Sequence, residues 1–319
     1  MRWLVSSVVV IMGCGSGGGG EDGPFFTEPM FFNQDVRDAP VADNSASVIA
    51  GLRGVGGWGR GDRFQIDFAF DVFTADAATP RRTFEPTSDF YTPDCDRVPM
   101  PVPVIGNLEG ETGYECRGDG DCHLLVHDEA EGKLYEMWRA NVVDASFRAG
   151  CLAVWDTGAA YGATLRGEQC SSADGAGLPI APLLFTPDEV AAGSIDHAIR
   201  FVLPNDRVRR AYVRPATHAT DTSGPSNAPP YGVHLRLSAQ FDVEALPTEG
   251  ARVVARALQR YGMYHADGGE YALTAVSDRH TTAKWAGVLG ESDLEALAVE
   301  DFDVIDHGAT FTAAFRCMR

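Results

Sequence analysis

The sequence predicts a mainly β protein: an antiparallel two-sheet sandwich or jelly roll with a few short helices, forming a single β-rich domain over residues 25–319. Three observations carry that expectation. Phe64–Phe73, FQIDFAFDVF, alternates apolar and polar side chains, the pattern of a strand with one buried and one wet face. Shorter runs of the same kind recur between clusters of Gly, Pro, Asn and Asp. No βαβ alternation and no repeat of fixed period interrupts them.

Taken in chain order, MRWLVSSVVVIMGC has one arginine and then an apolar run. That run falls short of the roughly 20 residues a bilayer span needs and reads as a signal-peptide core. Ile11-Met12-Gly13-Cys14 has the form of a lipobox. Residues 1–13 are therefore expected to be a lipoprotein signal peptide and 14–24 a Gly-rich tether, with Cys14 lipidated and holding the protein to the outer membrane. A plain cleaved leader is the alternative.

The alternating run at 64–73 is the first strand, and a Pro- and Asp-rich loop at 74–97 follows it. HLLVHDEAEGKLYEMW reads as a hairpin from His123 to Trp138, turning through Gly132. Further hairpins are expected around Asn205-Asp206 and around Asp267-Gly268-Gly269, and VHLRLS places Val233, Leu235 and Leu237 inside with His234 and Arg236 outside. A second long loop spans 215–230. Both long loops are expected to cover one end or face of the domain. Thr186-Pro187-Asp188-Glu189 is a capping box, which accounts for Glu189 without any catalytic role. Thr248 caps a helix with Val253, Val254, Ala257, Leu258 and Tyr261 on one stripe, and SDLEALAV near residue 292 suggests another short helix.

Charge and cysteines bound the function. With 26 basic and 45 acidic residues the net charge is -19. Nucleic acid is excluded as a partner, because phosphate contacts need clustered Lys and Arg. Apart from Cys14 there are Cys95, Cys116, Cys122, Cys151, Cys170 and Cys317. An even set in an exported chain implies disulfides, with Cys116–Cys122 a natural local closure and the remaining pairings open. No CxxC or HExxH spacing, Walker loop, dinucleotide fingerprint or GxSxG elbow occurs.

Candidate site residues gather around CSSADGAGLPIAPLLFTPDEVAAGSIDHAIRF, residues 170–201. Asp174 is a lone carboxylate among small residues that would let a ligand approach the backbone, although an Asx-turn explains it equally well. Glu109, in GNLEGE, offers a second carboxylate for an acid/base pair. His123, His197 and His218 sit at strand ends, where a rigid scaffold displays chemistry, and Arg200 points to the face opposite His197. The same three histidines are the candidate ligands for a transition metal, although no cofactor is predicted. Trp58, in a Gly-rich loop, is expected to stack on a sugar; Arg236 and Asp121 join it as substrate-binding candidates, and Tyr91 is a further loop aromatic. Trp138 and Trp155 lie in strand patterns and read as core.

These segments, with PATHAT, PPYGVHLRL and ALQRYGMYHADGG, resemble an uncharacterised family of exported bacterial proteins marked by SAD-AGLPI, HA-RF and PA-H motifs. The similarity runs from about residue 30 to 306. It implies that Asp121, His123, Asp174, His197, Arg200 and His218 travel together, without implying a reaction. Relatives read Asp-Arg-His at Asp121-Cys122-His123 and PARH at PATH, so no arginine role transfers to those places.

Compartment, fold and polar residues together lead to a surface-anchored, monomeric enzyme acting on polysaccharide. As a lyase it would use His197 or His218 as base and Arg200 to neutralise a sugar carboxylate; as a hydrolase it would use Asp174 and Glu109. A non-catalytic glycan-binding or structural lipoprotein and a three-histidine metal protein are the alternatives.

Overall fold

The computed structural model describes residues 25–118 and 120–319; the expected leader, Cys14 and the tether lie outside them. Among these residues the protein is mainly β, with two principal sheets and three α-helices. Chain order gives β1 (Ile66–Phe70), β2 (Val72–Ala75), β3 (Leu124–Asp128), β4 (Lys133–Trp138), β5 (Cys151–Asp156), β6 (Ile199–Leu203), β7 (His234–Leu237), β8 (Met263–Gly268), β9 (Leu273–Val276) and β10 (Phe302–Val304). A six-stranded sheet has the order β1-β9-β6-β8-β7-β10, and a four-stranded sheet the order β5-β4-β3-β2. Smaller pairings, such as 211–213 with 310–312, decorate them.

The alternating run of the first strand serves both sheets. β1 edges the six-stranded sheet and β2 the four-stranded one, with only Asp71 between them. Asp71 is buried at this transfer point and accepts hydrogen bonds from Asn107 and Ser277. Both sheets are mixed: β1 runs parallel to β9, β6 to β8, and β2 to β3.

The β3–β4 hairpin forms as expected, with Gly132 at φ 61 in its turn. The other two hairpins do not. β8 and β9 are separated by β6, and the strand after Asn205 pairs with the chain's end instead of with β6. Every residue of β6 is buried. Such a strand needs a neighbour on each edge, and β8 and β9 supply them. His234 also departs from expectation, lying buried and stacked on Tyr264 at 3.9 Å.

Helix α1 spans Ser45–Gly54, α2 Pro187–Ala192 and α3 Glu249–Arg260. α2 carries the full Thr186/Glu189 capping box and ends at Gly193, and Thr248 caps α3 through Ala251 N–H. The segment at 292 forms turns followed by a 3-10 turn at Val299–Asp301.

The disulfides are Cys95–Cys151, Cys116–Cys122 and Cys170–Cys317. They mark a protein that folds in an oxidising compartment, as exported proteins do. No helix among the described residues is long and apolar enough to cross a membrane.

Candidate functional site

The loop from Cys170 to Ile180 is fixed to its surroundings by its own backbone. Ala176 N–H donates to Ala266 O of β8 at 2.8 Å, and Thr217 and His218 N–H both donate to Ala176 O. The loop thus lies as an extra rail between β8 and the start of the 215–230 segment. Ser172 Oγ accepts from Asp174 N–H at 3.0 Å and donates to Leu178 O at 2.7 Å, closing a local turn.

Asp174 projects inward from this turn. Arg200 of β6 grips it with two parallel bonds, Nε to Oδ2 at 3.0 Å and Nη2 to Oδ1 at 2.9 Å, and the Asp174 side chain is 0% exposed. Burial would lower the basicity of Arg200, but the Asp174 carboxylate overrides it and holds the guanidinium charged. Arg200 is therefore closed to a substrate carboxylate, which removes its expected lyase role.

Asp267, at the end of β8, is the partner that sequence reasoning missed. It hydrogen-bonds to Asp174, and its carboxylate accepts Gly175 N–H at 2.9 Å and Gly268 N–H at 2.8 Å. A Cβ at Gly175 would sit 2.6 Å from Asp267 Oδ1, so the glycine exists to admit this carboxylate rather than a ligand. Burial and then the adjacent Asp174 charge push Asp267 up to about 8, against the pull of Arg200. Two carboxylates in contact do not both ionise cheaply, and Arg200 decides which one keeps the proton.

Above this pair opens a cavity of ≈ 520 Å³, with Asp267 and the Asp174 turn at its wall. His218 belongs to the same wall. Its Nδ1–H donates to Gly175 O at 2.8 Å, which fixes the tautomer and leaves Nε2 as an acceptor. Burial lowers the His218 pKa, so the ring is neutral near pH 7. Tyr91 and Asp94 from the first long loop, and Thr220 and Asp221 from the second, complete one side. Both loops therefore cover this site, as expected. Trp138 and Phe315 also line it. Trp138 is a correction, for it is half-buried at the end of β4 and donates through Nε1 to Asp121. Phe315 is held close by the nearby Cys170–Cys317 disulfide, which ties the chain's end to the loop.

The remaining candidates lie elsewhere. His123 is buried beneath the loop; Nδ1 bonds Glu109 at 2.6 Å and Nε2 bonds Ala173 O at 3.1 Å. Burial pulls its pKa down, but Glu109 lifts it to about 9, so an imidazolium donates to both and braces the loop from below. Glu109 is thus bound to His123 and absent from the cavity wall, and the expected Asp174/Glu109 pair does not form. His197 is buried and bonds Ala198 O and the capping residue Glu189. With His218 in the cavity, the three histidines do not converge on a metal. Among the described residues one group of potential ligands does cluster, Glu111 with Cys116 and Cys122, and its two sulfurs are already joined.

Trp58 is fully buried, donates to Leu297 O and packs edge-on against Phe64 and Phe302. The glycines around it let the chain wrap the indole, so it is core. Arg236 is spent on the carbonyls of Val36, Arg37 and Ala39. Asp121 does line the cavity, through the Trp138 contact. The signals for the missed Asp267 were weak: an acid ahead of Gly-Gly reads as a turn, and only its neighbour across the sheet reveals it. No protein-family model, no curated protein and no solved structure matches this chain.

Proposed function

We propose that the protein is a cell-surface, lipid-anchored glycan hydrolase whose acid is Asp267 and whose base is His218. The observation that carries this reading is that one cavity presents both a carboxyl in contact with the Arg200-held Asp174 and an imidazole whose Nδ1 is fixed on Gly175 O, with no partner for its Nε2 among the described residues. Environments that push two titratable groups apart in this way assign acid and base between them. Asp267, whose proton lies in the hydrogen bond to Asp174 at rest, turns it to the glycosidic oxygen as the C–O bond breaks, while His218 Nε2 takes a proton from the water that attacks the anomeric carbon. His218 then releases that proton to solvent and Asp267 recovers one, which restores the pair. Arg200 keeps Asp174 ionised, so the Asp267 anion left after transfer is unfavourable and is quickly reprotonated. Water attack on the face opposite the leaving group inverts the anomeric centre. Tyr91, Trp138 and Phe315 supply the apolar faces on which sugar rings rest.

The test is release of reducing ends from a polysaccharide panel by the intact protein and by Asp267→Asn and His218→Gln. Loss of product in both variants, with unchanged circular dichroism, supports the assignment. Product formed at the parent rate by Asp267→Asn sinks it. A second reading, a glycan-binding protein without turnover, is favoured by the two backbone N–H bonds that already occupy Asp267. Saturable binding with no product from any glycan would select it.

A further inference from the structure

The charge of the cavity wall says more about the substrate than the acid and base do. Asp94, Asp121, Asp221 and Asp267 line it, and no lysine or arginine does among the described residues. Asp174 is neutralised by Arg200. Asp267 holds its proton, and the carboxylates of Asp94, Asp121 and Asp221 face a concave, partly apolar space, where low-dielectric walls focus a negative potential. A chain of -19 net charge adds to that field.

Two details show what the wall attracts. At the lip, Arg210 lies 3.3 Å from Asp221 while its guanidinium sits 4.8 Å from the Phe315 ring centre. An exposed cation of the protein itself thus already rests between a carboxylate and an aromatic face. Asp94 has no such partner. It is half-buried, one of its oxygens accepts Ser171 N–H at 2.9 Å, and no ion pair reaches it among the described residues. It lines the same cavity as His218, and its charge acts on that ring. A uronate or sulfated chain would be repelled here, and a neutral sugar would offer Asp94 a hydroxyl donor without offsetting its charge. An ammonium group gains a charge-assisted hydrogen bond at Asp94, with the exposed Tyr91 ring nearby for a cation–π contact.

We propose that the cavity selects a glycan bearing free amines, a glucosamine-type chain, with the ammonium of one sugar docked on Asp94. This rests on the glycan reading above and names its substrate class.

The experiment measures binding by calorimetry of a fully deacetylated chitotetraose, its fully N-acetylated counterpart and spermidine, at low and high salt, to the intact protein and to Asp94→Asn. Asparagine retains an oxygen for Ser171 N–H, so the variant is expected to fold, and its melting temperature is read alongside. The expected result is tight binding of the deacetylated chain alone, weakened by salt and about tenfold weaker in Asp94→Asn. Equal affinity for the acetylated chain, or no change in Asp94→Asn, overturns the inference. Spermidine binding as tightly as the deacetylated chain overturns its sugar half. Reducing ends counted in the same samples separate the two readings: hydrolysis of neutral chains without preference for the amine leaves the hydrolase and removes this inference. Amine-selective binding without any product does the reverse.

Discussion

Glu136 and Asp267 hold the same loop from opposite sheets and make an instructive pair. Glu136, in the middle of β4, accepts Ile180 N–H at 2.7 Å and Ala181 N–H at 2.8 Å. Asp267, at the end of β8, accepts Gly175 N–H at 2.9 Å. Burial pushes Glu136 up to about 7 and Asp267 up to about 8. They differ in access. Glu136 is 0% exposed and takes a third bond, from Trp155 Nε1 at 2.9 Å, while Asp267 opens on the cavity beside His218. A shifted proton affinity therefore records burial. Only the carboxyl that a ligand can reach turns that shift into chemistry.

The largest effect should come from the closed member. Glu136→Leu strands three buried N–H donors, each costing about 1–3 kcal/mol when left unpaired. The expected loss is at least about 3 kcal/mol by denaturant unfolding, and the loop should become labile to hydrogen exchange. A loss below about 1 kcal/mol would mean that the loop is held by its other bonds. Asp267→Asn is expected to do the opposite. Its stability should stay within about 1 kcal/mol near neutral pH, because the amide oxygen still accepts Gly175 N–H, while turnover falls by about 10²–10⁴. If Asp267→Asn unfolds the protein as Glu136→Leu does, the two carboxyls play the same structural part and the comparison fails.

pH sharpens the contrast. Activity should follow a bell, rising as His218 loses its proton below pH 6.5 and falling as Asp267 ionises about pH 8. Stability has its own profile. Both carboxyls bind protons more tightly folded than unfolded, so each contributes stability at low pH that is lost as pH rises. For Asp267 the window runs from 3.8 to about 8, and for Glu136 from 4.5 to about 7. Melting temperature measured against pH should therefore decline less steeply in Asp267→Asn above pH 7, where the Glu136 window has closed. An unchanged slope there would mean that Asp267 is already ionised and unfit as the acid.

How legible this was in the sequence depended on the range of the interaction. Local signals carried through: Thr186 with Glu189, Thr248 before α3, the β3–β4 hairpin and the Cys116–Cys122 closure are all set within a few residues. The insertion of β6 between β8 and β9 was not legible, since both runs look like hairpin arms and only the complete burial of β6 demands two neighbours. The site divided along the same line. Asp174, Arg200 and His218 stood out through the small-residue loop and the strand ends, and all three meet there. Asp267 and Glu136 were missed because one resembles a turn residue and the other interrupts an apolar run. Their partners lie 92 and 44 residues away in the chain.

The aromatics repeat the lesson at smaller scale. Trp58 in its glycine-rich loop looked like a sugar platform and is fully buried against Phe64 and Phe302. Tyr91, in the Pro- and Asp-rich loop at 74–97, is 56% exposed and lines the cavity. Glycines around a tryptophan give the chain freedom to fold over it, which hides the ring instead of displaying it. Tyr91→Ala should thus leave the melting transition within about 0.5 kcal/mol of the parent, as exposed substitutions do. Sugar-chain affinity should fall by roughly threefold to tenfold, the weight of one aromatic contact. Calorimetric titration of the two proteins with the same oligosaccharide reads the difference. Equal affinities would place the sugar on Trp138 and Phe315 alone.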